Sequence, residues 1–236
     1  MNALDFTGRT VVVTGGGSGI GRAICKKFAE LGANVAVCDI NIEAAQKTVD
    51  TIDPTGEKAV AVRIDVTNED DAAAMAKNVV EKFGSLDILC NNAGVTNAIK
   101  PLEEMTVKEW DFCMAINAKG PFICSKAVLP YMRKQNYGRI ICTASQCGKT
   151  AFKNIGKYNA SKAAVILFAQ TLALEVADQN IRVNCILPGD VNTEMTDNEA
   201  VLIAQRTGED VKEVRKSIGA DVPIGHPAEP EEIANI

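Results

Sequence analysis

The sequence predicts an α/β fold, a doubly wound parallel sheet of Rossmann type, on two observations. Short β-branched runs alternate with longer segments of helical period, and those runs are apolar almost throughout, as in Val11 to Val13 and Val35 to Val37. Strand, helix, strand in this rhythm implies right-handed crossovers with helices over both faces of one sheet. Strands covered on both faces read as near-continuous apolar runs, whereas half-exposed strands alternate.

Taken in order, the strands are read at Arg9 to Thr14, Asn34 to Asp39, Lys58 to Asp65, Leu86 to Asn91, Gly138 to Ser145 and Ile181 to Pro188. Val, Ile and Thr make up most of the first and recur in the others, the residue types that suit a pleated, buried surface. Amphipathic or Ala-rich stretches lie between: Gly19 to Leu31, Asn41 to Ile52, Asp70 to Phe83, Thr106 to Arg133 and Tyr158 to Ala177. After Pro188 the alternation stops. The stretch Thr193 to Val222 holds one polar amphipathic helix candidate, Asn198 to Ser217, and no strand. A connection this long in a compact domain is read as a helical substrate lid, about residues 193–222. Pro230 to Ile236 opens like a helix, with Glu231 and Glu232 in its first turn, where the macrodipole favours acidic groups. A helix of so few residues is marginal without further packing, so the natural polypeptide is expected to continue past Ile236. No proline-rich linker, repeat or low-complexity segment divides the chain, and residues 1–236 are read as a single domain.

Composition narrows the function classes. Hydrophobic residues at 47% and charged residues at 23% are ordinary globular values, against intrinsic disorder or a coiled coil. A net charge of −5 with no run of Lys or Arg offers no footprint for nucleic acid or an anionic membrane surface. The N-terminus lacks the basic start and apolar core of a secretory signal, and the long apolar stretches are interrupted by charge. A cytoplasmic protein is expected. The eight cysteines form no CxxC and sit mostly inside apolar runs, so buried free thiols are expected. The single histidine, His226, lies far from any cysteine pair, against a zinc site.

The segment Thr14-Gly15-Gly16-Gly17-Ser18-Gly19-Ile20-Gly21 joins the first strand to the first helix. Glycines there let the backbone approach a diphosphate, whose charge is met by the free N–H groups and positive end of the helix. The spacing is not GxGxxG, and no Gly-Lys-Ser/Thr follows, against a P-loop hydrolase. Asp39 ends the second strand about 18 residues past Gly21, where a carboxylate accepts hydrogen bonds from an adenosine ribose. That carboxylate would repel a 2′-phosphate, and neither Ile40 nor Asn41 brings a cation, which favours NAD over NADP. An S-adenosylmethionine transferase could use a similar loop and acidic residue, so this half leaves the reaction open. In Tyr158-Asn159-Ala160-Ser161-Lys162 the phenol and ammonium stand at i and i+4, on one helix face. A phenol with a pKa near 10 becomes a useful base only if its phenolate is stabilised, by about 4 kcal/mol for three units. A neighbouring ammonium and a cationic nicotinamide could supply that.

These residues together make the chain resemble a classical short-chain dehydrogenase/reductase. The resemblance rests on Thr14-Gly15-x-x-x-Gly19-Ile20-Gly21, Asp65-Val66, Asn91-Asn92-Ala93-Gly94, Asn117, Ser145, Tyr158-x-x-x-Lys162 and Pro188-Gly189, in order along nearly the whole chain. It implies that Tyr158 is the general acid/base and that Lys162 lowers its pKa and holds the nicotinamide ribose. It implies that Ser145 polarises the substrate oxygen and that Asn117 anchors a water linking Lys162 to solvent. Gly15, Ser18, Gly19, Ile20, Gly21 and Asp39 would hold the cofactor with Asp65 and Val66 at the adenine. Asn91, Ala93 and Gly94 would line it near the adenosine ribose, and Pro188, Gly189, Val191 and Thr193 near the nicotinamide and diphosphate. The family's chain normally continues into a last strand that completes the sheet and often an oligomer interface, and nothing here matches that strand. A homo-oligomer, tetramer or dimer, is expected.

The polar, basic segment Ser145 to Lys157 more loosely resembles the sugar-alcohol branch, of sorbitol or sorbitol-6-phosphate type. Gln146 could then donate to a polyol hydroxyl, and Lys149 and Lys153 could meet a sugar phosphate. The expected activity is therefore NAD-dependent hydride transfer with a small-molecule alcohol or ketone, in the first place a polyol. Reduction of a 3-oxoacyl thioester or small diketone with the same residues competes with it. So does a catalytically idle dinucleotide-binding sensor or scaffold.

Overall fold

The computed structural model describes residues 4–220 and 222–236. Residues 1–3, the start of the segment read as lacking a secretory signal, and Asp221, within the expected lid, lie outside them. Six parallel strands form one sheet: β1 (Thr10–Thr14), β2 (Asn34–Asp39), β3 (Ala59–Arg63), β4 (Ile88–Asn91), β5 (Gly138–Thr143) and β6 (Ile181–Ile186), in the order β3-β2-β1-β4-β5-β6. This is the doubly wound arrangement expected from the sequence. Each strand begins or ends a residue or more inside its predicted range, except β2. The trimmed ends, such as Ser145 and Pro188, belong to the loops that build the site.

The helices are α1 (Gly19–Glu30), α2 (Ile42–Ile52), α3 (Glu69–Phe83), α4 (Val107–Met114), α5 (Gly120–Lys134), α6 (Gly156–Glu175), α7 (Glu194–Thr207), α8 (Val211–Ser217) and α9 (Pro230–Ala234). Successive strand residues face opposite ways, and the core divides accordingly. Val11 and Val13 pack with Ile24, Cys25, Ala45 and Val49 of α1 and α2. Val12 packs on the other face with Met75, Ile123, Val128 and Val165 of α3, α5 and α6. Burial on both faces is what the unbroken apolar strand sequences require.

Two helical predictions need correction. The stretch Thr106 to Arg133 is not one regular helix: α4 and α5 are joined by a wide turn over Ala115–Lys119. Pro121 has no N–H to give to the carbonyl four residues back, that of Asn117, so the α-helical ladder cannot run through. Wide turns of this kind recur at functional sites. The stretch Asn198 to Ser217 is two helices, α7 and α8. Gly208 ends the first in the left-handed region at φ 79°, and Asp210 starts the second by accepting from the Lys212 and Glu213 N–H groups. Ala200, Ala204 and Val214 pack the pair into a small core of their own, beside the sheet.

The cysteines are free thiols, six of them buried and Cys147 and Cys185 half-buried. Among the described residues no helix is long and apolar enough to cross a membrane.

Candidate active site

A groove of about 710 Å³ runs over the C-terminal ends of the strands. In an open α/β sheet this is where ligands sit, beside the point at which strand order reverses, here between β1 and β4. Asp39, Ile40, Asp65 and Val66 line one end, and Ser145, Gln146, Tyr158 and Glu199 the other.

The floor is built from the glycine-rich turn. Gly15 lies at φ 66°, and a Cβ there would stand 2.9 Å from the Ala93 Cα. Thr14 secures the facing turn: its hydroxyl accepts from the Asn92 and Ala93 N–H groups at 3.0 and 3.1 Å. Ser18, Gly19 and Ile20 line the groove, whereas Gly21 does not. A Cβ on Gly21 would sit 2.0 Å from the Gly15 carbonyl oxygen, so this glycine serves the close packing of α1 against the turn. The Asp39 carboxylate accepts from the Gly17 N–H at 3.0 Å and the Asn41 N–H at 3.0 Å. A carboxylate has about four acceptor sites, so capacity remains on the groove side. Asp65 accepts from the Thr67 N–H and hydroxyl, and these bonds hold its carboxyl below the usual range.

Asn91, expected at the cofactor, is buried outside the groove, with its amide donating to Ser125 at 3.0 Å. It is the last residue of β4 and faces the core; its neighbours Asn92, Ala93 and Gly94 line the groove. Asn117 is also buried and off the groove wall. Its amide oxygen accepts from the Val95 N–H at 2.8 Å, and its amide nitrogen donates to the Val95 carbonyl at 3.0 Å and to Ser161 at 3.1 Å. The side chain thus anchors the segment after β4.

At the catalytic end, Tyr158 and Lys162 stand one turn apart on α6, and the Lys162 Nζ lies 5.5 Å from the centre of the Tyr158 ring. Ser145 stands within hydrogen-bonding reach of the Tyr158 hydroxyl. Ser145 accepts from the Cys147 N–H, and Gln146 N–H donates to the Pro188 carbonyl at 3.0 Å, which ties the loop after β5 to the loop after β6. Burial pushes the Tyr158 phenol above its ordinary pKa, with the Cys147 and Glu199 side chains adding to the rise and Ser145 opposing it. Burial also lowers Lys162 to about 8, while its ammonium donates to the Thr143 carbonyl at 2.8 Å. In the chain without a bound nicotinamide, burial dominates the phenol.

The segment after β6 contributes residues the sequence singled out, Pro188, Gly189, Val191 and Thr193, and three it did not, Asp190, Glu194 and Glu199. Pro188, Gly189, Asp190, Val191 and Thr193 carry the wall from β6 to α7. Thr193 caps α7 by accepting from Thr196 N–H. Glu194 reaches back to the cradle, accepting from the Gly19 N–H at 3.2 Å and from Arg22 at 3.4 Å. Glu199 lines the groove with Ser145 and Tyr158, and burial raises its carboxyl from the ordinary value. Both are acidic residues on a polar helix, and sequence spacing carries no signal for which turn faces the groove.

The description "short chain dehydrogenase" belongs to a family model that matches residues 9–202. The 2,5-dichloro-2,5-cyclohexadiene-1,4-diol dehydrogenase of Sphingobium indicum is 36% identical over 231 residues, 98% of this chain and 88% of that protein. The 3-oxoacyl-acyl-carrier-protein reductase of Thermotoga maritima is 34% identical, across 99% of this chain and 90% of its own length. A crystal structure of NAD+-bound xylitol dehydrogenase superposes with a TM-score of 0.92 at 34% identity, covering 98% of this chain and 90% of that one. Agreement of this kind along the sheet, the groove and the lid has one meaning: the chain belongs to the short chain dehydrogenase family and is an oxidoreductase.

Proposed function

We propose that the protein transfers hydride between a secondary alcohol, in the first place a neutral polyol or diol, and NAD. The observation that carries this reading is the convergence of Ser145, Tyr158 and Lys162 on one end of a groove whose other end is closed by Asp39. The residues present fit the dinucleotide. The Gly19 N–H already donates to a carboxylate, which supports an anion there, and Asp39 keeps acceptor capacity for ribose hydroxyls. Gly15, Ser18, Gly19 and Ile20 would hold the diphosphate, Asp65 and Val66 the adenine, and Lys162, Pro188, Gly189, Val191 and Thr193 the nicotinamide half.

When bound, NAD supplies the hydride acceptor for alcohol oxidation. The chain supplies the proton chemistry. Ser145 holds the substrate oxygen, and the Tyr158 hydroxyl, once deprotonated, takes the alcohol proton. Lys162 raises the stability of the phenolate from one helical turn away. Asn117 pins Val95 and so keeps the segment beside Lys162 in place. The sugar-phosphate variant of the reading loses its support, since Lys149 and Lys153 are exposed and neither lines the groove.

The T. maritima relative keeps reduction of a 3-oxoacyl thioester as the second reading. We place the protein in the cytoplasm on its acidic, free-thiol composition. We read it as a homo-oligomer, because Phe122, Leu167 and Leu174 leave apolar surface exposed on α5 and α6. The test is NADH formation from a panel of polyols, cyclic diols and sugar phosphates, run with NAD and NADP. Turnover of neutral polyols or diols with NAD preferred is expected. In Asp39→Ala with Ile40→Arg the preference should move toward NADP, since the repulsion is removed and a phosphate partner added. Equal use of both coenzymes by the natural sequence would contradict the assignment of Asp39.

A further inference from the structure

The charges around the catalytic end are unevenly chosen. Lys162 is the one cation among its described lining residues, and its ammonium is committed to the Thr143 carbonyl. Against it stand two carboxylates of the lid side, Asp190 and Glu199. Helix α7 presents Glu199 to the groove, where it shares the wall with Ser145, Gln146 and Tyr158. It lies close enough to both Tyr158 and Cys147 to influence their ionisation. A carboxylate has about four acceptor sites, so Glu199 has capacity for a group on a substrate held at Tyr158 and Ser145. It has no donor to offer, and it repels an anion.

We infer that Glu199 is a specificity-determining residue, which accepts a hydrogen bond from a second hydroxyl of the substrate while Tyr158 and Ser145 engage the reacting one. The inference rests on the alcohol-oxidation reading and sharpens it: the pocket takes neutral diols and polyols in preference to mono-alcohols, and turns away phosphates and carboxylates. A half-buried acceptor that gains a partner in the second hydroxyl makes such a site discriminate, because a substrate lacking that hydroxyl leaves this acceptor capacity unfilled. Its neighbours Asp190, Cys147 and Tyr158 supply no compensating positive charge.

The experiment compares kcat/KM for xylitol, cis-1,2-cyclohexanediol, cyclohexanol and sorbitol 6-phosphate in the wild type, Glu199→Gln and Glu199→Ala. NAD titration and circular dichroism check that each variant is folded. In Glu199→Ala the ratio of diol to cyclohexanol should fall about tenfold, the scale of one hydrogen bond to a charged acceptor. In Glu199→Gln, which keeps the shape and loses the charge, the ratio of sorbitol 6-phosphate to xylitol should rise. Turnover in all three proteins with both ratios unchanged would overturn the role of Glu199 and leave the activity standing. A wild type that binds NAD and oxidises none of the four alcohols would overturn the activity reading together with the inference.

Discussion

Tyr158 illustrates how a residue and its surroundings divide the work. The i, i+4 spacing to Lys162 is visible in the sequence, and so is the face they share. Their burial is not, because it depends on the loop after β5 and on Glu199, more than forty residues from Tyr158 in the chain. Desolvation disfavours whichever form of a group is charged, so burial raises the phenol and lowers the ammonium. In the protein without ligand, one of the three tyrosines should therefore ionise above the ordinary value of about 10. Ultraviolet absorbance titration of the wild type and Tyr158→Phe reads it as the difference between the two curves. A raised phenol binds its proton through neutral pH, so the sign for catalysis is a rate of alcohol oxidation that climbs as pH rises. A missing tyrosine that titrates at or below the ordinary value would contradict the desolvation argument. Asn91 shows the other limit of reading by residue. It shares a motif with Asn92, yet the strand's alternation turns the one into the core and the other to the groove.

At the scale of elements, the strands and the first three helices were legible because their patterns are local. Periodicity and apolar runs need no knowledge of the rest of the chain. The wide turn before α5 and the break between α7 and α8 depend on single residues, Pro121 and Gly208, inside otherwise helical stretches. The contact of α7 with the cradle depends on topology: Glu194 lies 175 residues from Gly19 in sequence and meets it because the segment after β6 runs back along the groove over the strand ends to the start of α1. A carboxylate at that N–H occupies the position where an anionic diphosphate is best received, and it adds like-charge repulsion. Glu194→Gln should accordingly bind NAD more tightly, by roughly two- to fivefold, the scale of an exposed charge near a helix N-terminus. Fluorescence titration at low and high salt checks this. The gain should shrink as salt screens the repulsion, and unchanged or weaker binding in Glu194→Gln would show that the contact supports the site instead.

Across the whole molecule, the sheet's two covered faces fix the strands, and the reversal of strand order opens the crevice between them. Much of the groove's lining sits at the strands' C-terminal ends, with Asp39 ending β2, Asp65 beyond β3, Ala93 and Gly94 after β4, Ser145 after β5 and Gly189 after β6, while Tyr158 and Lys162 come from α6. That convergence follows from the parallel topology and was readable in advance, whereas the lid, which has no strand to register it, was readable only in outline. Its two acidic contributions to the groove wall, Glu194 and Glu199, were not singled out by spacing. The central claim is that this architecture presents Tyr158 as the proton acceptor for NAD-linked alcohol oxidation. The most direct measurement is the rate of NADH formation by Tyr158→Phe beside its affinity for NAD, with Lys162→Ala as companion. Turnover of Tyr158→Phe should drop by about two to four powers of ten, the contribution of a general base, with NAD binding nearly intact, while Lys162→Ala should lose both. Substantial turnover in Tyr158→Phe would contradict the account.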